Sequence, residues 1–454
     1  MTDPPIVNLN ENKPLGDILV EFIGLNRISQ SNFRRHVELI KSSTNVIELL
    51  QNINHTNQVL SQLGIFQPFE RNGHEAYAFA DIKRGANPGD VKVEISVKEQ
   101  RPNCSFGANV DSRSNAGFEA KATIPGFMGY INNLELNANI SGTSSNQLDC
   151  ILNIPQPFGF NIYGSLQLFK TMQDNSYQSS FFADIKGLNL SLRDSKSRHC
   201  FSWGTSIRDL VPLYNDKRRA SESILSSCGR SIKNSVKYKF HRDEIETDQV
   251  PISGNATSCS LEFGIAGGDS RFAKFEAEAL YAKKLNDFMV FNLMASVGYL
   301  NHLPVYHKKS HLLDRFYFSG TSGSSRLFRG FSKLIGPFDT GFRNDDGQWK
   351  PCYDYLGGDY YSNVQITMYF LNKKVPFFQP MLCTNLGTLS SLKGSDLSNI
   401  YSQAANDLRA SVGAGVSMNV GTGVWLECCI SYPLLSQQND VPSNVHIGLR
   451  FKPS

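Results

Sequence analysis

The feature that most restricts this chain is a series of segments, from Cys104 onward, in which every second residue is apolar and helical spacing almost vanishes. Leu134, Leu136, Ala138 and Ile140 alternate with Glu135, Asn137 and Asn139. Ala273, Phe275, Ala277, Ala279 and Tyr281 alternate with Lys274, Glu276 and Glu278. Val364, Ile366, Met368 and Phe370 alternate with Asn363, Gln365, Thr367 and Tyr369, and Val412, Ala414, Val416, Met418 and Val420 repeat the theme. Successive side chains of a strand point to opposite faces, so this period of two marks strands with one apolar and one polar face. Turn residues punctuate the runs, as at Asn286-Asp287 and Gly421–Gly423. Such antiparallel meanders build a sandwich, a soluble barrel or a membrane barrel. About 350 residues at about 20 per strand and turn gives about sixteen strands, where membrane strands need about 9–11 residues each. Aromatics near strand ends (Phe158, Phe160, Tyr163, Tyr299, Phe377, Phe378) suit interfacial girdles or ordinary core packing.

The start of the chain reads differently. Residues 1–15 form a tail with acids at Asp3 and Glu11, lacking both a signal-peptide apolar core and the arginines of a transit peptide, so no cleaved address is expected. Residues 16–100 read as a separate domain. Ile18–Leu25 is a short strand, and helices follow at about Ser31–Ile40 and Asn45–Leu63, the second stopped by Gly64. Tyr77–Ile82 and Val91–Lys98 are strands, giving a βααββ order with two helices on one face of a small sheet.

Composition closes off several classes. A net charge of +4 with 19% charged residues is too slight an excess to argue for nucleic acid. The chain has no run of about 18 apolar residues, so no transmembrane helix is expected, which leaves a soluble or a membrane β-barrel. None of the nine cysteines forms Cys-x-x-Cys, and the reading is of reduced, mostly buried thiols in an intracellular compartment. The sequence has no Gly-x-Ser-x-Gly, no His-Glu-x-x-His and no phosphate-binding Gly-x-x-x-x-Gly-Lys-[Ser/Thr]. An enzyme, a cofactor and a metal site are therefore not expected. His307 and His311, four apart in a strand-and-loop region, read as solvated.

One stretch interrupts the strands: Phe316–Phe338, rich in Gly, Ser and aromatics and carrying Arg329-Gly330-Phe331. A loop this long is functional or disordered, and its aromatics argue against disorder. Gly330 and Gly336 allow positive φ and close approach to a wall, and the fixed donors of Arg329 suit a buried carboxylate. Either the loop folds back and is held by Arg329, or it is an exposed turn with a solvated arginine.

Taken in order, these parts resemble the BamA superfamily, and within it most closely the core β-barrel family of the mitochondrial sorting and assembly machinery. Ile18–Asn26, Leu63-Gly64-Ile65-Phe66 and Val91–Lys98 resemble one polypeptide-transport-associated (POTRA) domain. His241-Arg242-Asp243 resembles the family's TRD element, although the proline and glycine that usually follow are displaced to Pro251 and Gly254. Phe316, Gly320, Arg329-Gly330-Phe331 and Gly336-Pro337 resemble its sixth-loop motif, and Leu356-Gly357-Gly358-Asp359 resembles the strand after it. His446, Gly448 and Phe451 resemble a terminal β-signal, with Pro453 where an apolar residue is expected.

The resemblance implies a mainly β protein: a transmembrane antiparallel barrel over 104–454, preceded by one POTRA domain, with 316–338 as a lumenal loop. It implies an acid on the inner wall for Arg329, for which Asp359 and Asp407 are best placed by motif order. It implies an insertase of the mitochondrial outer membrane, with its N-terminal domain in the intermembrane space. Its partners would be β-barrel precursors bearing a terminal β-signal, accessory subunits of the sorting and assembly machinery, and lipid. Ser105, Asn109 and Ser112 on the first strand and His446, Gly448 and Phe451 on the last would form the lateral gate, whose polar and Gly-containing ends zip weakly. A passive porin is the competing reading; it would need neither the N-terminal domain nor a pinned loop.

Overall fold

The computed structural model describes residues 15–451 apart from 72, 86, 88, 111–115, 142–145, 157–161, 248–249, 303–309, 319–325, 333–334, 372–374, 376, 392–396 and 422–423. The chain is mainly β and folds as two compact units. The first comprises residues up to Ala108 with Phe118–Asn139 and Leu148–Gln167; the second comprises Asn109–Gly117, Ile140–Gln147 and Leu168–Ser454.

The first unit starts with β1 (Ile18–Ile23), α1 (Arg34–Lys41), α2 (Val46–Gln62), a hairpin of β2 (Phe69–Arg71) and β3 (His74–Ala76), then β4 (Ala78–Arg84) and β5 (Val91–Val97). The sheet order is β1-β5-β4, with β1 parallel and β4 antiparallel to β5. The alternation in β5 sends Val91, Val93, Ile95 and Val97 into a core shared with Leu49, Ile53 and Leu60 of α2. The Asn45 side chain accepts from the Glu48 N–H at 2.8 Å, which caps α2 and fixes where it begins. The β2–β3 hairpin was not expected, since three-residue strands carry too little periodicity to read.

Glu99, just past β5, accepts from the backbone N–H groups of Asn26, Arg27 and Ile28 and from the Arg27 side chain. Burial pushes its carboxyl up, but these hydrogen bonds outweigh that and hold it below the ordinary range. The loop so fixed reaches a left-handed turn at Gly126–Gly129, where Asn32 Nδ2 donates to the Gly129 carbonyl at 2.7 Å. Ile131 packs against the same core. These contacts bring the Gly126–Gly129 turn and Ile131 onto the N-terminal residues within the one unit.

Four further strands follow, β6 (Asn103–Val110), β7 (Ala116–Pro125), β8 (Asn133–Ser141) and β9 (Asn146–Pro155), hydrogen-bonded in chain order, mostly in this unit but with residues 109–110, 116–117, 140–141 and 146–147 in the second. β10 (Ile162–Asp174) has its last residues in the second unit. There the chain continues through β11 (Phe181–Asp194), β12 (His199–Pro212), β13 (Arg218–Arg219), α3 (Glu222–Ser227), β14 (Gly229–Asp243), β15 (Glu246–Thr247), β16 (Pro251–Gly264), β17 (Phe272–Asn286) and β18 (Met289–His302). It ends with β19 (Gly330–Phe331), β20 (Phe338–Asp345), β21 (Gln348–Tyr355), β22 (Tyr360–Phe370), β23 (Phe378–Ser390), α4 (Leu397–Asn406), β24 (Leu408–Gly421), β25 (Val424–Leu435), β26 (Pro442–Ser443) and β27 (Val445–Phe451). The long strands pair antiparallel with their neighbours in sequence, and β18 pairs with β22 across the loop between them.

The burial of this sheet is inverted relative to a soluble protein. On β22 the polar set Asn363, Gln365 and Thr367 is buried, while Ile366 of the apolar set is exposed. On β24 Arg409, Ser411 and Ser417 are buried, and Val412 and Val420 are exposed. On β25 Glu427 and Ser431 are buried while Ile430 and Tyr432 are about two-thirds exposed, at 69% and 66%. A polar buried face and an apolar exposed face over so many strands is a patch far larger than water-soluble monomers leave bare.

Candidate functional site

The site is the loop between β18 and β22, and its two motif glycines show why it lies where it does. Gly330 has φ +90° and a Cβ there would meet Ser411 Cβ at 2.7 Å; Gly336 has φ +102° and a Cβ would meet Leu389 at 2.5 Å. Both positions demand a residue without a side chain, for conformation and for space. The backbone thus comes flush against β23 and β24.

Arg329 is buried there with Glu427 of β25, Nη2 to Oε2 at 3.1 Å, the side chains 5% and 2% exposed. Ser411 Oγ donates to the Arg329 carbonyl. The carbonyl of Leu327 receives the side-chain amides of Asn363, Gln365 and Asn385 at 3.2, 2.8 and 3.2 Å. The polar face of the sheet therefore supplies the donors that a loop buried against it needs. Phe316, Phe318, Phe328, Phe331 and Ile335 form one apolar cluster with Tyr361 and Leu389. Ring centroids lie 5.1 Å apart for Phe318–Phe328 and 5.3 Å for Phe328–Phe331.

The loop also runs onto the last strands. Gly330 and Phe331 pair antiparallel with Ser443 and Pro442. Gly330 N–H donates to His446 Nε2 at 2.8 Å, and Ser332 N–H donates to the Val441 carbonyl at 2.9 Å. Asp440, just before, is held by Arg409 Nε and Nη2 at 2.7 and 3.1 Å.

At its other end the loop is gripped through Asp314. Arg208 of β12 meets its carboxylate at 2.8 Å and Lys233 of β14 at 3.0 Å, while Lys274 of β17 donates to its carbonyl at 2.9 Å. Arg326 returns to Glu276 of β17 at 2.8 Å.

The expected acids for Arg329 need correction. Asp359 accepts instead from Ser310 Oγ at 2.6 Å. It sits six residues before Gln365, the β22 residue level with Arg329, which is about 20 Å along the strand at about 3.3 Å per residue. Asp407 lies ahead of β24, where its carbonyl takes Arg409 Nη1 at 2.8 Å. Glu427 was missed; its signal is a single acid in the alternation Trp425, Glu427, Cys429, Ser431. Of the motif residues, Arg329, Gly330, Phe331 and Gly336 are placed as described, the Pro337 carbonyl accepts from the Leu356 N–H at 2.8 Å, and Gly320 lies outside the described residues.

His241-Arg242-Asp243 ends β14, with Arg242 on Glu244 at 2.7 and 2.8 Å and Asp243 accepting from Ile245 N–H at 3.0 Å. Gly358 forms a bridge with Phe316. Ser105 and Asn109 lie on β6, Ser112 lies outside the described residues, and His446, Gly448 and Phe451 lie on β27. Of the cysteines, Cys383 and Cys429 are buried side by side, Sγ to Sγ 3.3 Å, in a cluster with Val250, Val290, Tyr369 and Met381, with Gly413 between their strands leaving the room. His307 lies outside the described residues; His311 contacts Ser231 at 3.1 Å.

Such a sheet, with its polar face buried and a glycine–arginine loop pinned onto that face, defines a class of β-proteins built inside out. The chain belongs to the Omp85 superfamily, whose domain matches residues 103–451. It is 24% identical to a SAM50-like protein of Schizosaccharomyces pombe, over 97% of this chain and 90% of that one. It is 25% identical to the outer membrane protein assembly factor BamA of Neorickettsia risticii over 63% of this chain, which spans only 36% of that relative. Its fold matches the crystal structure of BamA from Haemophilus ducreyi lacking POTRA domains 1–3 with a TM-score of 0.75 at 16% identity, covering 95% of this chain and 84% of that one.

Proposed function

We propose that the strands from β6 to β27 form a transmembrane barrel of the mitochondrial outer membrane and that the chain inserts β-barrel precursors there. Residues 16–100 act in this reading as a single POTRA domain in the intermembrane space. The observation that carries the reading is the loop motif fastened to β24, β25 and the entry of β27 on the buried polar face, while the opposite face is apolar. The names of the relatives, an assembly factor and SAM50-like proteins, support the same role.

The physical argument runs through the backbone. In hydrocarbon an unpaired N–H or C=O costs several kcal/mol, so a barrel that admits clients does so at a weak seam. The first and last strands, β6 and β27, are the gate strands. A parted edge templates strand addition, and a precursor's terminal strand can pair with it before the growing hairpins leave sideways into lipid. Client folding supplies the drive, and neither nucleotide nor metal takes part. Accessory subunits of the sorting and assembly machinery are expected partners.

The test is covalent. Cysteines introduced in β6 and β27 and oxidised to join the strands should stop membrane delivery of newly imported barrel precursors, and reduction should restore it. Delivery at full rate with the strands joined would refute the reading. Solute-selective conductance without precursor binding would favour a porin.

A further inference from the structure

The tripeptide Arg329-Gly330-Phe331 touches four strands at once. Its side-chain charge is on β25 through Glu427, its carbonyl on β24 through Ser411, and its backbone on β26 and the start of β27 through Ser443, Pro442 and His446. Because His446 Nε2 accepts, the ring is neutral with its proton on Nδ1. The segment leading into β27 is tied down again by Asp440, which takes Arg409 and the Gln437 N–H at 2.8 Å, and by Tyr355, whose hydroxyl donates to the Asn439 carbonyl at 2.6 Å. From Ile447 to Phe451 the strand pairs with Val424–Cys428 of β25.

The two halves of the terminal strand therefore differ in what parting would break. Lifting Pro442–His446 would orphan the Gly330 donor against a buried wall and disturb an arginine–glutamate pair beside it, each of which is unfavourable. Lifting Ile447–Phe451 breaks its pairing with Val424–Cys428 and none of these loop contacts, so it is the less costly half to open.

We propose that His446 and the Gly330–Phe331/Pro442–Ser443 bridge form a staple that sets how far the terminal strand can unzip. β27 opens from Phe451 back to Ile447 and stops at His446, so a client strand is offered only the distal part of the edge, while Pro442–His446 moves with β24, β25 and the loop as one body. His446 is thus a positioning residue: it acts through the loop. This rests on the insertase reading for its consequence, but the staple itself does not.

The experiment is amide hydrogen exchange on the full chain in lipid nanodiscs. In the unaltered protein, Ile447–Phe451 should exchange faster than Ser443–His446. His446→Ala should raise exchange at Ser443–Val445 and at Gly330 by about tenfold, the expected effect of one orphaned buried donor. His446→Gln, whose side-chain carbonyl can accept from Gly330, should restore slow exchange. Equal exchange along Ser443–Phe451 in the unaltered protein, or no change in His446→Ala, would overturn the staple. Insertion of a radiolabelled barrel precursor is measured on the same preparations. No insertion by the unaltered protein, with the exchange pattern as expected, would sink the insertase reading and leave the staple standing.

Discussion

Removing the carboxylate of Glu427 tests what holds the loop down. With Arg329 5% and Glu427 2% exposed, solvent screens the pair little, so the discount for surface ion pairs does not apply. Glu427→Ala leaves a guanidinium buried without a counter-charge, a loss of about 3–5 kcal/mol. Only the docking of the loop is at stake, so the figure reads as a shift of about 100- to 4,000-fold toward the undocked loop, at about 1.4 kcal/mol per tenfold. The protein carries its own reporters. Cys383 and Cys429 lie near the Arg329 guanidinium, 4% and 3% exposed. Their alkylation by a polar maleimide, followed peptide by peptide by mass spectrometry, should be slow in the unaltered chain and at least about 100-fold faster in Glu427→Ala. Arg329→Met with Glu427→Met removes both charges and should return labelling close to the original rate, because an apolar pair of similar volume replaces a buried ion pair at little cost. The reasoning fails if Glu427→Ala labels no faster, or if the double substitution labels as fast as the single one. The first result would mean that the aromatic cluster seats the loop without the pair; the second would mean that the charged pair itself, and not only the avoidance of a lone buried charge, is needed to seat it.

Two more outcomes follow from the other charged contacts. Asp314→Asn should free the first part of the loop and leave the maleimide rates of Cys383 and Cys429 unchanged; faster labelling there would show that the grips at Asp314 and Arg329 act as one. In the N-terminal residues, the folded carboxyl of Glu99 lies below its unfolded value. Its contribution is therefore present above the ordinary carboxylate pKa of about 4.3 and is lost as pH falls through the folded value. Exchange protection at Asn26–Ile28 should fall over that acid range, and Glu99→Gln should lose about 1.5–3 kcal/mol of it at neutral pH and flatten the dependence; protection unaltered by the substitution would refute this.

Much of this architecture could be read from residue order alone, and the reason is periodicity. Val364–Phe370 and Val412–Val420 repeat every second residue for long enough to be strands whatever surrounds them. Their alternation does not say which face is buried, because both a soluble and a membrane sheet show it. Only the three-dimensional arrangement places Asn363, Gln365 and Thr367 inside. The loop's residues alone left it either folded back or exposed, and the resemblance to the sixth-loop motif of the BamA superfamily is what singled it out. The partner of Arg329 was not legible, because pairing across a sheet depends on register, and a shift by one residue exchanges faces. Asp359 stands nearest in motif order yet lies along the strand from the arginine; Glu427 stands 98 residues on, facing it across the sheet. The bridge of Gly330–Phe331 with Pro442–Ser443 is two residues long and has no period to read. The six-residue helix α3 escaped the sequence pattern for the same reason.

The inverted burial explains why the loop is held by charges as well as rings. A loop laid on an apolar wall would be kept there by area alone, with little to choose between neighbouring registers. This wall presents amides, hydroxyls and a carboxylate, and each needs a partner once water is excluded. Asn363, Gln365 and Asn385 meet one carbonyl, Ser411 meets the next one but one, and Glu427 meets the guanidinium of that same residue. Sliding the loop by a single residue would orphan all of them together. The aromatic cluster contributes affinity without register, and the polar set contributes register. Since that register also decides where Gly330 meets His446, the same contacts that seat the loop fix its grip on the terminal strand.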